Sequence, residues 1–250
     1  MTKALKIATY NIHKGFSAFN RRMAIHELRE RLRGLDADVV FLQEVLGSHE
    51  THALRYEDWP PQPQYEFLAD TIWSDYAYGK NAVYNGGHHG NAVLSRFPIV
   101  SWHNYDVSAY RFERRGLLHC EIEIPDWTRR LHCVCVHFAL LGRGRERQLA
   151  ALRRHIEQWI PPDAPLIVAG DFNDWRGRAG YDLMRLLNVR EVFELVSGES
   201  ARSFPAALPL FRLDRIYVRG FGVRRAQVHH GRGWARISDH AVLTSTLALL

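Results

Sequence analysis

Residues able to do chemistry recur in this sequence at one kind of place, the end of a short apolar run. Asn11 follows Ile7-Ala-Thr-Tyr10, Glu44 follows Val39-Val-Phe-Leu-Gln43, and His137 follows Val134-Cys-Val136. Asp171 and Asn173 follow Leu166-Ile-Val-Ala-Gly170, Asp214 lies within Arg212-Leu-Asp-Arg-Ile216, and Asp239 and His240 stand just before the last apolar stretch. Such runs read as buried strands, and strand ends are where α/β proteins place their sites. The inventory is carboxylates, amides and imidazoles, with no cysteine. Hard oxygen donors suit Mg²⁺ or Mn²⁺ better than Zn²⁺, and those ions work on phosphoryl oxygens. Singly, each residue has an ordinary structural use. Asp171 could cap a strand end, Asn173 a turn, Asp214 could pair with Arg215 at the surface, and His137 could be a hydrogen-bonded core histidine. As a set they read as one site.

The elements that must position them follow from pattern and punctuation. A strand is expected over 5–10, a helix over 22–33 stopped by Gly34, and a strand over 38–44 with Gln43 and Glu44 at its functional end. A Pro-containing loop is expected over 47–64. Between 65 and 124 short strands alternate with turns: Tyr84-Asn-Gly-Gly87 is a turn signal, and Asn91-Ala-Val-Leu-Ser95 is a strand before the Phe97-Pro98 break. Strands over 117–124 and 131–138 pair across Pro125-Asp126. A helix over 145–159 carries Leu149, Leu152, Ile156 and Trp159 on one stripe. A strand over 166–169 delivers Gly170-Asp-Phe-Asn173, a helix follows near 181–187, and strands over 213–218, 223–228 and 241–249 close the chain. Several strands succeed one another without a helix between them, which predicts mixed sheets in a single α/β domain over 1–250.

The net charge is +6, and lysine occurs only at positions 3, 6, 14 and 80, so the excess is arginine. That balance fits an anionic partner: nucleic acid, a phospholipid surface or a phosphorylated small molecule. The cysteines are Cys120, Cys133 and Cys135; an odd number with no secretory leader pattern reads as reduced thiols in a cytoplasmic protein. Cys133 and Cys135 alternate in an apolar stretch and are expected in a buried strand. No apolar run reaches the roughly 18 to 20 residues that span a bilayer. Trp59, Tyr65, Phe67, Trp73, Tyr76, Tyr78 and Tyr84 crowd one region and are read mostly as core, whereas Trp175, just after the Gly170–Asp174 turn, is the aromatic expected to line a cleft.

Taken together, Ala8-Thr-Tyr-Asn11, Leu42-Gln-Glu44, Gly90-Asn-Ala-Val-Leu-Ser-Arg-Phe-Pro98, Val136-His137, Gly170-Asp-Phe-Asn173, Leu213-Asp-Arg-Ile216 and Ser238-Asp-His240 resemble, in order, the motifs of the endonuclease/exonuclease/phosphatase family, whose fold is DNase I-like. Asn11-Ile-His-Lys-Gly15 and His88-His-Gly-Asn91 resemble a bacterial subgroup within it. The resemblance implies a four-layered α/β/β/α sandwich with two mixed sheets, and hydrolysis of phosphate esters assisted by Mg²⁺ or Mn²⁺. It implies Glu44 as the principal metal ligand, with Asn11 and Asp239 close to the same ion. Asp171 then resembles the carboxylate that activates or positions water, and Asn173 orients water or phosphate. His240, held by Asp214, stabilises the phosphate, and His137 donates to phosphate or leaving oxygen. Whether Asp171 or His240 is the base stays open. Asn91, Arg115 and Trp175 are the expected substrate contacts. His13, Lys14, His88 and His89 either touch phosphate or simply sit in loops.

A phosphodiesterase acting on nucleic acid is the leading expectation, from the basic charge and His137. The alternative is a phospholipid or small-molecule phosphodiesterase or phosphatase of the sphingomyelinase or inositol-phosphatase type. A catalytically inactive phosphate-binding module is disfavoured, because Glu44, Asp171, Asp239 and His240 are all retained.

Overall fold

The computed structural model describes residues 4–49, 54–175 and 186–250. The strands are β1 (Leu5–Asn11), β2 (Val39–His49), β3 (Asp75–Tyr84), β4 (Gly87–Ser95), β5 (Ile99–Asp106), β6 (Gly116–Ile122), β7 (Leu131–His137), β8 (Leu166–Asp171), β9 (Arg190–Glu191), β10 (Asp214–Arg219), β11 (Phe221–His229) and β12 (Val242–Leu249). The helices used below are α1 (Ile25–Leu35), α2 (Gln64–Ala69) and α3 (Gly142–Trp159). Two six-stranded sheets form, in the orders β11-β12-β1-β2-β4-β3 and β5-β6-β7-β8-β10-β9. Both are mixed: β1 with β2 and β7 with β8 are parallel, and the other pairs are antiparallel.

Alternation along the strands builds the layers, because successive side chains leave a strand on opposite faces. In β2, Val39 and Phe41 join Ile7, Cys133, Cys135, Ile167 and Ala169 in the core between the sheets. Val40 and Leu42 face the other way, against Leu28 and Leu32 of α1 and Leu68 of α2. On the far side of the second sheet, Val134, Val136 and Val168 pack beneath Leu152 and Ile156 of α3. The result is the four-layered α/β/β/α sandwich. Among the described residues no helix is long and apolar enough to cross a membrane.

Several expected boundaries move. The first helix covers 25–35 rather than 22–33, and Gly34 lies inside it. Asp36 ends it in the left-handed conformation at φ 52°, with its N–H on the Arg33 carbonyl. A short polar side chain tolerates that conformation, so the stop falls there instead of at the glycine. The second strand does not end at Glu44 but runs on to His49, and the expected loop over 47–64 therefore begins later and gives way to α2 at Gln64. The fourth strand starts at Gly87, joined to β3 by the Asn85-Gly86 turn with Gly86 at φ 82°. α3 begins at Gly142, and Trp159 leaves its apolar stripe to stand 54% exposed at the helix end. The helix expected near 181–187 falls largely outside the described residues.

Candidate active site

The site is the place where the inward-facing register of both sheets turns from apolar to polar. Cys133, Cys135 and His137 alternate along β7, and Ile167, Ala169 and Asp171 along β8. Ile7, Thr9 and Asn11 do the same in β1, and Val218, Ile216 and Asp214 in β10. The apolar members lie in the core between the sheets. The same parity carries the last polar residue of each strand to one open end of that layer.

Register then sets the neighbours. Asp171 lies opposite His137 across the parallel β7–β8 pair and opposite Asp214 across β8–β10. Gly170 makes the first approach attainable: at φ 146° a side chain is strained, and a Cβ there would sit 1.9 Å from the Val136 carbonyl oxygen. Asp171 Oδ2 accepts a hydrogen bond from Asn11 Nδ2 at 3.1 Å, with His137 Nε2 at 3.6 Å and His240 Nε2 at 3.8 Å. The other carboxylate oxygen accepts from the Asn173 backbone at 2.9 Å. His240 is held from behind, its Nδ1 2.9 Å from Asp214 Oδ2.

Burial and charge divide these groups. Burial, reinforced by the Asp214 carboxylate, pushes Asp171 up to about 7 against the pull of His240. Burial alone would lower His240, but the Asp214 and Asp171 carboxylates outweigh it and push the ring up to about 10, so it is a cation near neutrality. His137, buried and facing Arg115 and His240, is held well below its ordinary value and is neutral.

Glu44 reaches the site by a different device. Leu42 pairs with Ala92 and Val45 with Gly90, so Gln43 and Glu44 share one partner position, Asn91, across the bulge. Glu44 adopts φ 57° there. In a regular strand Glu44 would follow Val40 and Leu42 toward the helices; a bulge re-aims a side chain. Its carboxylate lies 3.6 Å from Lys14 Nζ. Burial works to raise it, yet the surrounding charge of Lys14, His13, His240 and His89 holds it below the ordinary carboxylate value.

The donor set fits a divalent cation. Asp214 Oδ1 is shielded from solvent without a hydrogen-bond donor, and Glu44 Oε2, likewise without a hydrogen bond, has only the Lys14 ammonium at 3.6 Å to answer it, which leaves room for a cation at this end of the layer. Ligand atoms of Asp171, Asp214 and His240 also lie within 4.8 Å of one another. A protonated ring spent on Asp214 is no ligand, so that group reads as an ion-paired cluster, and Glu44 is the residue best suited to hold an ion. Asp239 is half-buried, its Oδ1 3.4 Å from Ser238 Oγ, which itself donates to the Asn11 carbonyl at 2.7 Å.

Residues 8–240 match the profile of the Endonuclease/Exonuclease/phosphatase family. The chain belongs to this family. It is 48% identical over 246 residues to the uncharacterized protein YbhP of Escherichia coli K12, covering 98% of this chain and 97% of that one. An endonuclease/exonuclease/phosphatase from Beutenbergia cavernae shares the fold at a TM-score of 0.77 and 19% identity, covering 99% of this chain and 72% of that chain. One from Bacteroides vulgatus does so at 0.76 and 15%, covering 99% and 100%. D. rerio TDP2, solved with a single-strand DNA product, does so at 0.69 and 18%, covering 98% and 99%. Enzymes of the endonuclease/exonuclease/phosphatase family are phosphoesterases that typically use divalent metals.

The remaining expected residues of this family member are Asn91, Arg115 and Trp175. Asn91 is buried; its Nδ2 donates to the carbonyls of Gly116 at 3.1 Å and Cys135 at 3.4 Å, tying the two sheets together, while its Oδ1 has no hydrogen-bond donor. The Arg115 side chain is 12% exposed, bonded to Glu113 at 3.0 Å and to the Phe138 carbonyl at 3.3 Å. That carbonyl also accepts from Asn173 Nδ2 at 2.9 Å, so Arg115 and Asn173 share an anchor. Trp175 is 42% exposed and packs edge-on against Phe204, which in turn contacts the His240 ring. Sequence reasoning did not single out Ser203 or Phe204. Ser203 Oγ accepts from the Asp214 backbone at 3.1 Å, and the Ser203 carbonyl accepts from Ala241 N at 2.7 Å. Nothing in their own composition marks them; only their place beside Asp214 and His240 does.

Proposed function

We propose that this protein is a divalent-metal-dependent phosphodiesterase acting on nucleic acid. The observation that carries the reading is the convergence on Asp171 of Asn11, His137 and His240 at the open end of the inter-sheet layer, with the donorless Glu44 oxygen as a further carboxylate of that end. Glu44, with Asn11 and Asp239, would hold Mg²⁺ or Mn²⁺, which supplies positive charge to a non-bridging phosphate oxygen. Asp171 takes a proton from, or positions, the attacking water, with Asn173 orienting it. His240, protonated and steadied by Asp214, faces the charge that develops on the phosphate. Neutral His137 has an N–H to offer the phosphate or the leaving oxygen.

Nucleic acid is supported by the +6 net charge and by the likeness in fold to D. rerio TDP2, solved with a single-strand DNA product. One observation favours a phospholipid substrate instead: Leu140 and Leu141, just beyond Phe138, stand 57% and 53% exposed. A substrate panel decides between them. Single- and double-stranded DNA, RNA, abasic DNA, phospholipid vesicles and inositol phosphates are each incubated with Mg²⁺ or Mn²⁺, with Asp171→Asn as the control. Metal-dependent cleavage of DNA or RNA that vanishes in Asp171→Asn supports the proposal. Turnover confined to vesicles would replace the substrate, and no turnover of any ester would overturn the phosphodiesterase reading.

A further inference from the structure

We propose that Lys14, His89 and Arg115 form an anion subsite beside the catalytic cluster, and that it takes a second phosphate group of the substrate, next to the one that is cleaved. The choice of substrate class rests on the phosphodiesterase reading above.

Lys14 is delivered by a backbone that must be held in place. His13, Lys14 and Gly15 have successive φ values of 46°, 59° and 78°, all left-handed. Non-glycine residues keep such a conformation only where their surroundings over-determine it, and such spots cluster at ligand sites. Here the clamp is Gln64, a buried residue far along the chain. Its Nε2 donates to the Lys14 carbonyl at 2.8 Å, and its Oε1 accepts from Leu46 N of β2 at 2.9 Å. Gly15 is needed at the same point, since a Cβ would lie 2.7 Å from Gln64 Nε2. The turn thus fixes a lysine whose side chain is only 36% exposed against Glu44.

His89 comes from β4. It has the same parity as Asn91 and Val93, and Val93 lies in the core between the sheets, so His89 faces the cleft side. His88 has the opposite parity and bonds to the Tyr78 hydroxyl at 2.9 Å. The Nδ1 of His89 is shielded from solvent and has no hydrogen-bond partner. A buried nitrogen left so is expected to find one when the site is filled. Arg115 is fastened through all three nitrogens, to Glu113, the Phe138 carbonyl and, at 3.0 Å, the Arg114 carbonyl, which leaves one N–H on each terminal nitrogen for another acceptor.

These groups converge. Leu46, which Gln64 ties to the Lys14 carbonyl, pairs with His89 across β2 and β4, and Asn91, on the same face of β4 as His89, donates to the carbonyl of Gly116 beside Arg115; the charges of all three accordingly bear on His137. The cleaved phosphate is already provided for by His240, His137 and Asn11, so a further cationic and N–H-bearing group is surplus to it. A divalent ion on Glu44 would draw on the same carboxylate charge that holds Lys14 at 3.6 Å, which leaves the ammonium with donors for an anion. A phosphate, with its several acceptor oxygens, matches an ammonium, a guanidinium edge and an imidazole N–H at once.

The test uses a thymidine dinucleotide whose internal linkage is a neutral methylphosphonate, with and without a terminal 5′- or 3′-phosphate. Binding to the full-length protein in Mg²⁺ is followed by calorimetry. The linkage is uncharged and resists hydrolysis, so the affinity gained from the terminal phosphate reports the subsite alone. The expected gain is at least about tenfold for one of the two ends in the wild type, the size of one charge-assisted hydrogen bond. It should fall to about threefold or less in both Lys14→Met and His89→Gln. Lys14→Arg, which keeps the charge in the same turn, should retain most of it, and circular dichroism checks each fold. No gain in the wild type at either end, or a full gain in both Lys14→Met and His89→Gln, would overturn the subsite. Hydrolysis of the ordinary phosphodiester dinucleotide is scored separately, and its failure would count against the phosphodiesterase reading alone.

Discussion

His240 and Asp214 meet through a hydrogen bond of 2.9 Å from Nδ1 to Oδ2, while the other ring nitrogen of His240 stands 3.8 Å from Asp171. One carboxylate orients the ring and the other shares its charge. Only the imidazolium carries an N–H on both nitrogens, so the Asp214 contact keeps the second N–H available to the site.

The pair should therefore behave as a unit. Asp214→Asn and His240→Ala are each expected to lower turnover by on the order of 10²- to 10⁴-fold. The double variant should be scarcely worse than the worse single one, because groups acting through one another are not additive. Steady-state kinetics on the preferred phosphodiester, with circular dichroism to confirm folding, checks this. Losses that multiply would mean that the two residues act independently.

Glu44→Gln keeps the shape of the bulge residue and removes its charge. It should bind Mn²⁺ at least about tenfold more weakly by calorimetry, and need correspondingly more metal for hydrolysis, since a carboxylate is the main charge a hard cation has to hold it. Wild-type metal affinity in Glu44→Gln would remove Glu44 from the ion's coordination.

Binding to nucleic acid should weaken steeply with salt. Each phosphate neutralised by Lys or Arg releases condensed counterions, so the logarithm of affinity falls linearly with the logarithm of salt. The measurement is fluorescence anisotropy of labelled single- and double-stranded DNA with Asp171→Asn, from 50 to 300 mM salt, a range that spans roughly a hundredfold loss for three phosphate contacts on duplex DNA. A flat response alongside binding to anionic vesicles would favour a lipid substrate.

Stability should fall in mild acid through a cluster remote from the site. His119 Nε2 lies 3.0 Å from His132 Nδ1, and His155 Nε2 of α3 lies 3.1 Å from His119 Nδ1. Burial holds all three below their ordinary value, His119 at about 3 and His155 at about 4, with Glu121 alone pulling the other way and His103, Arg130 and Arg219 adding to the effect. In the unfolded chain these rings take up protons near pH 6.5, whereas the folded protein resists. Stability is thus complete above about pH 6.5 and is lost as the pH falls toward the folded values, by on the order of 2 to 4 kcal/mol between pH 7 and pH 5. Urea denaturation across that range should show it, with a shallower dependence in His119→Gln. A pH-independent midpoint would show that the rings titrate in the folded protein as they do in the unfolded chain, and a rise in stability toward pH 5 would show that they are protonated when folded.

Much of this was visible in the residues themselves. Period-two alternation in Cys133-Val-Cys-Val-His137 and Ile167-Val-Ala-Gly-Asp171 places the apolar and polar members on one face whatever the partner strand. What reads without coordinates is simpler: a polar residue after each apolar run marks Asn11, His137 and Asp171, strands following one another without helices give the mixed sheets, and Asp214 and His240 come from motifs resembling the family's. The Asn85-Gly86 hairpin was likewise local, a matter of turn chemistry.

What the sequence could not decide is what depends on register with a distant strand or on a contact from a distant loop. Glu44 reads as a strand-end carboxylate, but β2 continues beyond it, and its aim comes from a bulge against Asn91 that exists only once β4 has paired. Lys14 reads as either a phosphate contact or a loop residue until Gln64 pins its carbonyl, and nothing local shows that the Phe138 carbonyl and Glu113 claim Arg115. Ser203 and Phe204 matter because β8, β10 and the approach to β12 bring them beside Asp214 and His240. Alternation is a property of a single strand and survives in one dimension; bulges, clamps and shared acceptors need two parts of the chain at once, and only the packed sheets supply both.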